Sequence, residues 1–180
     1  ISNFRVQLWN SADEYRLSNS GGIKGHILIL AASSDGETIV SCGHHHTVDL
    51  WDFDEGKIVE RLKGHQDYVH SLAFSSDDQF LASRSADGVI HIWDIATGEI
   101  SHTLYGNADE GANIAFSPDG EFLLSGNYDG TIQIWDISTG CEVLILSSGR
   151  YRIKELVFSP DGAFFITASG DGTVRFWRII

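Results

Sequence analysis

Short segments of this chain alternate apolar and polar residues, and the same alternation returns four times. In each copy one variable residue separates two apolar residues, and a tryptophan directly follows the second apolar residue. The apolar pairs are Val48 and Leu50, Ile90 and Ile92, Ile132 and Ile134, and Val174 and Phe176. The variable residues between them are Asp49, His91, Gln133 and Arg175. A period of two residues is that of a β-strand with two different faces, and since no helical period competes, the pattern predicts an all-β protein.

The tryptophans mark a longer repeat. They are Trp9, Trp51, Trp93, Trp135 and Trp177, each 42 residues after the one before. At this period the segments 31–56, 73–98, 115–140 and 157–177 align on one another without gaps. A constant period of this length is the signature of a repeat architecture. We therefore divide the chain into a partial repeat, 1–9, and four full repeats, 10–51, 52–93, 94–135 and 136–177.

Each repeat contains three turn signals built from residues that accept a positive φ at little cost. The first is Ser-Pro-Asp-Gly or Ser-Ser-Asp-Gly, at 33–36, 117–120 and 159–162. The second, just before the tryptophan strand, is Asp-Gly at 87–88, 129–130 and 171–172. The third, after that strand, is Thr-Gly at 97–98 and 139–140. Three turns in 42 residues predict four strands of about five to six residues each.

Composition narrows the possible functions. The net charge is −13, whereas a nucleic-acid or anionic-membrane binder needs a cationic surface, so we expect proteins or peptides as partners, basic ones among them. Cys42 and Cys141 are the only cysteines, which excludes a disulfide framework and favours an intracellular, cytoplasmic location. Neither a membrane-spanning apolar run nor a signal peptide is visible. The sequence has no methionine, so we expect it to belong to a longer chain.

The repeat resembles the WD-repeat (WD40) family of β-propellers, which have four strands per blade. Trp-Asp stands at 51–52, 93–94 and 135–136, and it becomes Trp-Asn at 9–10 and Trp-Arg at 177–178. The resemblance covers residues 1–180 as one propeller domain. It implies that 3–9 and 15–20 are the last two strands of one blade, that three complete blades follow, and that 153–177 supplies three strands of another.

The resemblance also implies a larger ring of about seven blades, whose remaining blades come from the same longer chain. Two alternatives stay open at this stage. Strand 15–20 could pair with 171–177 and close a ring of four blades. Two chains could also complete one ring between them.

In this family a structural tetrad joins a His, a Ser or Thr, a turn Asp and the Trp. One repeat carries the full tetrad, His65, Ser83, Asp87 and Trp93. Two repeats carry three of its four members: Ser125, Asp129 and Trp135 in one, and Thr167, Asp171 and Trp177 in the other. In the full set we expect the Asp87 carboxylate to bind one imidazole nitrogen of His65 and the Ser83 hydroxyl to link the other to the indole. At the His position the other repeats have Ile23, Asn107 and Gly149.

A His, a Ser and an Asp in one network also resemble a hydrolase triad. The network ends on a tryptophan, however, and the chain contains no Gly-x-Ser-x-Gly nucleophile turn. We therefore predict a protein that is not an enzyme and needs no cofactor. Arg84 stands where other repeats have Cys42, Gly126 and Ala168, and we expect its side chain to reach solvent or an acidic residue within the ring.

The function we predict is that of an interaction scaffold. By resemblance, partners contact the face that carries the Gly-His loops and the Asp-Gly turns. The repeat register places ten residues on it: His26, Leu28, His44, Tyr68, His70, Ala86, Glu110, Tyr128, Arg152 and Lys154. Tyr and Arg are common anchors of protein interfaces. The alternative is that the propeller is a sensor or autoinhibitory arm of a larger multidomain signalling protein.

The run His44-His45-His46 raises the hypothesis of a metal site. With His26 in a loop at the same end, several imidazoles come together, and zinc needs three or four fixed ligands. Consecutive strand residues point to opposite sides, so only His44 and His46 converge. By register, His45-His46 takes the place of the Asp-Gly turn. We therefore predict no metal site. The only candidate ligands for one would be His26, His44 and His46.

Overall fold

The computed structural model of the chain describes residues 9–10, 15–16, 27–43, 46–52, 57–107 and 113–178. Within these ranges it holds seventeen strands, β1 to β17, in five antiparallel sheets. A two-stranded sheet is followed by three sheets of four strands and one of three, and each sheet is formed by consecutive strands. The predicted all-β architecture of four-stranded blades is therefore confirmed.

The strands follow the chain in simple order. The first sheet pairs β1 (Trp9–Asn10) with β2 (Tyr15–Arg16). Blade 1 comprises β3 (Ile27–Ala32), β4 (Thr38–Gly43), β5 (Thr47–Asp52) and β6 (Lys57–Lys63). Blade 2 comprises β7 (Val69–Phe74), β8 (Phe80–Ser85), β9 (Val89–Asp94) and β10 (Ile100–Tyr105). Blade 3 comprises β11 (Ile114–Phe116), β12 (Phe122–Gly126), β13 (Thr131–Asp136) and β14 (Cys141–Ser147), and blade 4 comprises β15 (Ile153–Phe158), β16 (Phe164–Ser169) and β17 (Val174–Arg178).

This strand order tests two expectations: the positions of the blades along the chain, and the closure of a four-bladed ring. The three complete blades and the three strands of blade 4 lie where the repeat offset places them. The four-bladed closure is wrong for the described strands, because β2 pairs with β1, and β17 pairs with β16. The remaining residues of the expected first two strands, 3–8 and 17–20, lie outside the described ranges.

The turns form where glycine was predicted to supply a positive φ. The first turns use Gly36, Gly120 and Gly162, the second Gly88, Gly130 and Gly172, and the third Gly98 and Gly140. Within the described ranges, two residues other than glycine adopt this conformation: His46 and Asp78, each with φ 58°. Both stand at positions that carry glycine in the other repeats, so the turn geometry is kept where its usual residue is absent.

Packing between neighbouring blades forms the core. Trp93 packs with residues of blade 1, Trp135 with residues of blade 2, and Trp177 against residues of blades 3 and 4. Opposite them, the apolar pairs of the tryptophan strands face the following blade; Ile90 and Ile92, for example, are 0% exposed. The two-residue alternation thus gives each blade two different faces, and stacking packs the apolar pairs of blades 1 to 3 against the following blade. In blade 4 the pair is exposed, Val174 by 58% and Phe176 by 72%.

The innermost strands β3, β7, β11 and β15 lie side by side, so the two ends of the blades form two opposite faces. One end carries the Asp-Gly turns and the loops that lead to the next blade, and we call it the DG face. The other end carries the first and third turns, and we call it the opposite face.

Candidate functional site

A buried polar network in blade 2 supports the DG face. The indole N–H of Trp93 donates to Oγ of Ser83 at 2.7 Å, and Nε2 of His65 lies 2.6 Å from the same oxygen. The exposed fractions of Trp93, Ser83 and His65 are 2%, 0% and 6%. One hydroxyl therefore serves two groups that water cannot reach, which is why a small hydroxyl residue is needed at this position.

Asp87 does not complete this network as predicted. Nδ1 of His65 has no hydrogen-bond partner, and Oδ1 of Asp87 accepts the backbone N–H of Val89 at 2.9 Å. The amide two residues ahead is the natural partner of a turn aspartate, so the carboxylate stays within its own turn. The expected hydrogen bond between Asp87 and His65 is therefore wrong, and the set lacks the link that orients the histidine of a catalytic triad.

Burial governs the charge of this histidine. It lowers the pKa of His65 to about 4, and the neighbouring His91, whose ring centroid is 4.4 Å away, acts in the same direction while Asp87 opposes it. Burial also lowers the pKa of His91. Both imidazoles are therefore neutral at neutral pH, because burial disfavours the charged form.

The bond between the indole and the hydroxyl recurs in every described repeat. Each tryptophan donates to a Ser or Thr ten residues before it: Trp51 to Ser41 at 2.9 Å, Trp135 to Ser125 at 3.1 Å and Trp177 to Thr167 at 2.9 Å. The pair of Ser41 and Trp51 was not predicted from the sequence, because its repeat has Ile23 and His45 at the His and Asp positions of the tetrad. The constant spacing of ten residues was the signal that would have found it.

The turn aspartates of blades 3 and 4 bind side chains other than a histidine. Asp129 accepts the side-chain amide of Asn107 at 3.3 Å, so an amide replaces the missing histidine. Asp171 is bound by Nη2 of Arg175 at 3.2 Å. The hydroxyl and amide of Thr173, followed by Arg175, lower the pKa of Asp171 to about 2. All three Asp-Gly turns thus keep the bond from the amide two residues ahead, and those of blades 3 and 4 add different side chains, Asn107 and Arg175.

The variable residues of the tryptophan strands also have structural partners. Asp49 forms an ion pair with Arg61 at 2.6 Å, His91 contacts the hydroxyl of Thr103 at 3.1 Å, and Gln133 donates to Glu142 at 2.5 Å. Asp49, His91 and Gln133 are 6%, 7% and 5% exposed. Their chemistry differs because each one matches a residue of the neighbouring outer strand. Their variation therefore reflects strand pairing within each blade.

Arg84 is the clearest correction among the buried residues. Its side chain was expected to reach solvent or an acidic residue, yet the residue is 0% exposed. Nη1 donates to the carbonyl of Gly126 at 2.5 Å, and Nη2 donates to Oδ1 of Asn127 at 2.9 Å and the carbonyl of Asn107 at 3.3 Å. The guanidinium thus joins blade 2 to blade 3 through the backbone of Gly126 and the side chain of Asn127.

The predicted partner-binding residues are distributed over the DG face. Tyr128, Arg152 and Lys154 are exposed, and Tyr68, His70 and Ala86 are half-buried. His26, His44 and Glu110 lie outside the described residues, as does the side chain of Leu28. Of the metal candidates only His46 is described; it is exposed, and the described ranges contain no group of three or more potential metal ligands.

Two exposed tyrosines of this face were not singled out from the sequence. Tyr105 ends β10 and is 75% exposed, and Tyr151 precedes β15 and is 58% exposed, the same fraction as Tyr128. The backbone of Tyr151 lies against Gly130, in the turn that begins with Tyr128. The repeat register could have identified Tyr151, since it lies between Arg150 and Arg152 in the same loop.

Backbone hydrogen bonds hold the loops of the DG face to the turns. Gly106 donates to the carbonyl of Gly88 at 2.9 Å, and Ser148 donates to that of Gly130 at 2.8 Å. Within blade 2, Ala86 donates to the carbonyl of Tyr68 at 3.0 Å. The backbone of each loop is therefore fixed to the turn of a blade.

The opposite face has a different link between blades. The carboxylate of Asp78 accepts the N–H of Ser34 at 2.9 Å, its hydroxyl at 2.5 Å and the N–H of Asp35 at 3.3 Å. Asp78 belongs to the first turn of blade 2, and its partners belong to the first turn of blade 1. Gly120 and Gly162 occupy the position of Asp78 in blades 3 and 4, so they offer no carboxylate there.

Stacked antiparallel blades, each with a tryptophan fixed to a hydroxyl, define a propeller protein of the repeat type. The family model described as WD domain, G-beta repeat (WD40) matches residues 17–52, 56–94, 98–136 and 142–178. The chain belongs to this family, whose repeats generally mediate protein–protein interactions. The resemblance drawn from the sequence is confirmed.

Solved structures agree on the fold. The crystal structure of the computationally designed Ika8 protein is 29% identical in sequence to this chain, with a TM-score of 0.87. The match covers 98% of this chain and 53% of that protein, so the chain spans about half the length of that structure. In all, 1576 chains of known structure match, too many for the fold alone to identify a function. A comparison with curated proteins gave no match, and the described residues include no helix able to span a membrane.

Proposed function

We propose that this chain is a non-catalytic scaffold that binds partner proteins or peptides on its DG face. The observation that carries the proposal is the set of three exposed tyrosines, Tyr105, Tyr128 and Tyr151, on loops and turns held by backbone hydrogen bonds. Tyrosine contributes a large contact area at a small cost in side-chain entropy and is enriched at protein interfaces. A surface held in place before binding also loses little entropy when a partner docks.

The buried polar residues support the same proposal. His65, Ser83 and Trp93 bind one another below the surface, and burial keeps the imidazole neutral. These groups stabilise the blade and are not available to a substrate. The exposed residues of the DG face therefore remain as the functional surface.

Site-directed photo-cross-linking tests the proposal. A photoreactive phenylalanine analogue replaces Tyr128 or Tyr151 in one set of proteins and Glu121, an exposed residue of the opposite face of blade 3, in the control. We expect a common set of partner proteins to cross-link at positions 128 and 151 and not at 121. The Tyr128→Ser/Tyr151→Ser protein should lose these partners with its urea unfolding midpoint unchanged. Equal cross-linking at all three positions would argue against a DG-face scaffold.

A further inference from the structure

We infer that the loop entering blade 4 is a docking surface for an acidic peptide segment of a partner protein. This blade 4 loop, residues 148–154, carries Arg150, Arg152 and Lys154, all of them exposed. Among the described residues, no carboxylate pairs with these three side chains. The inference rests on the proposed function and adds the chemistry of the partner to it.

The three cations stand out because the protein is acidic. It has 25 Asp and Glu against 12 Lys and Arg, yet three of these twelve lie within a five-residue stretch of this loop. The carboxylates of blades 3 and 4 on this side are engaged elsewhere: Asp129 and Asp171 accept bonds from the threonines two residues ahead, and Glu155 accepts one from Asn113. These carboxylates keep their negative charge, but none of them forms an ion pair with the loop cations, so an anionic ligand can meet the exposed side chains of Arg150, Arg152 and Lys154.

The loop backbone is fixed at both ends. Ser148 donates to the carbonyl of Gly130 at 2.8 Å, and Ile153 donates to that of Asn127 at 3.0 Å. The side chain of Ile153 is 1% exposed and anchors the end of the loop in the core between blades 3 and 4. Binding thus does not need to order the loop, which favours recognition of a flexible peptide.

Two aromatic rings flank the charges. Tyr151 lies between Arg150 and Arg152 in sequence, and Tyr128 lies in the turn to which the loop is bonded. Both tyrosines are 58% exposed. Aromatic rings beside cations suit a segment whose carboxylates alternate with uncharged residues, because the rings can pack on the peptide between its charges.

Blade 2 supplies a matched comparison. Val69 pairs with Ser85 as Ile153 pairs with Ser169, so the two loops share one register. The counterparts of Arg150, Arg152 and Lys154 are then Gln66, Tyr68 and His70. The variant Arg150→Gln/Arg152→Tyr/Lys154→His therefore removes the cations by giving the blade 4 loop residues that the same fold accepts in blade 2.

The test is a binding measurement by fluorescence anisotropy. The probes are labelled peptides of alternating Glu and Ser, and matched peptides with Gln or Lys in place of Glu. The control protein is Lys57→Gln/Lys63→Gln/Arg178→Gln, which also loses three exposed cations, all away from the loop. We expect the Glu peptide to bind about tenfold more tightly than the Gln peptide, the blade 2-type variant to lose this preference, and the control to keep it. The preference should weaken as salt is added.

Two results would overturn the inference: equal binding of the Glu and Gln peptides, or an equal loss of preference in the variant and the control. Cross-linking at Tyr128 and Tyr151 distinguishes the two proposals. If partners still cross-link there while the Glu peptide shows no preference, only the acidic specificity is rejected. If cross-linking is uniform over both faces as well, the scaffold proposal also fails.

Discussion

Removing the Ser83 hydroxyl should destabilise the protein more than removing that of Ser125. Oγ of Ser83 serves two buried groups, the indole of Trp93 at 2.7 Å and Nε2 of His65 at 2.6 Å. Oγ of Ser125 serves the indole of Trp135 at 3.1 Å. Both serines are 0% exposed, so the two sites differ mainly in the presence of the histidine.

The size of the effect follows from the number of groups left without a partner. A buried donor or acceptor that loses its partner destabilises a protein by about 1–3 kcal/mol. Ser83→Ala leaves two such groups, so we expect a loss of about 2–6 kcal/mol in the free energy of unfolding. Ser125→Ala leaves one, and we expect about 1–3 kcal/mol. The difference of about 1–3 kcal/mol reports the contact of Ser83 with His65.

Urea-induced unfolding, followed by circular dichroism, measures the free energies. Exchange of the indole N–H protons, followed by NMR, adds a local readout: Trp93 should exchange faster in Ser83→Ala, and Trp177 should not. Ser83→Thr is the matched control, because Thr167 fills this role in blade 4 with a bond of 2.9 Å. It keeps the oxygen and should retain most of the stability.

Two outcomes would refute this reasoning. If Ser83→Ala and Ser125→Ala agree within about 0.5 kcal/mol, the histidine adds nothing to the network. If Ser83→Thr is as damaging as Ser83→Ala, the loss comes from altered packing and not from the missing oxygen.

Two further predictions concern pH and the link between blades. The pKa of His65 is lowered from 6.5 to about 4 in the folded protein, so the unfolded chain binds more protons between these values and stability should fall by about 2–3 kcal/mol as pH drops from 6.5 to 4. His65→Asn, which places the blade 3 residue there, should flatten this part of a pH series of urea midpoints, and an unchanged slope would contradict the assignment. On the opposite face, Gly120→Asp should be more stable than Gly162→Asp by about 1 kcal/mol in thermal unfolding. By the repeat register, the counterparts of Ser34 and Asp35 are Ser76 and Asp77 for position 120, and both have a backbone N–H. For position 162 they are Pro118, which has no N–H, and Asp119. Equal midpoints for these two variants would show that an aspartate at this position does not bridge the blades.

The sequence predicted the strands and turns well because their causes are local. A two-residue alternation specifies a strand with two faces, and a glycine in each turn supplies the positive φ that the hairpin needs. The two turn positions without glycine also have a local cause. Asp78 and His46 take a positive φ at glycine positions, and the repeat register alone identifies where those positions lie.

Contacts between blades could not be predicted in the same way, because they depend on residues far apart in sequence. Arg84 resembles a surface residue in its own repeat, yet it is buried, and its guanidinium binds the carbonyl of Gly126 and the side chain of Asn127 in the next repeat. The hydrogen-bond partner of Asp87 was predicted wrongly for the opposite reason. The family pattern places it in a long-range network, whereas the nearby amide of Val89 takes its carboxylate.

The sequence placed the candidate site on the DG face, where the proposed docking surface also lies, but it favoured partners of the opposite charge. Net charge is a property of the whole chain, and −13 favoured basic partners. At physiological ionic strength, charges farther apart than about 8 Å are largely screened from one another. A docked peptide therefore responds mainly to the residues it touches, and at the blade 4 loop these are Arg150, Arg152 and Lys154. In the proposed complex, net charge governs solubility and long-range encounter, and local charge selects the partner. The repeat register reveals this local charge only when equivalent loops are compared blade by blade.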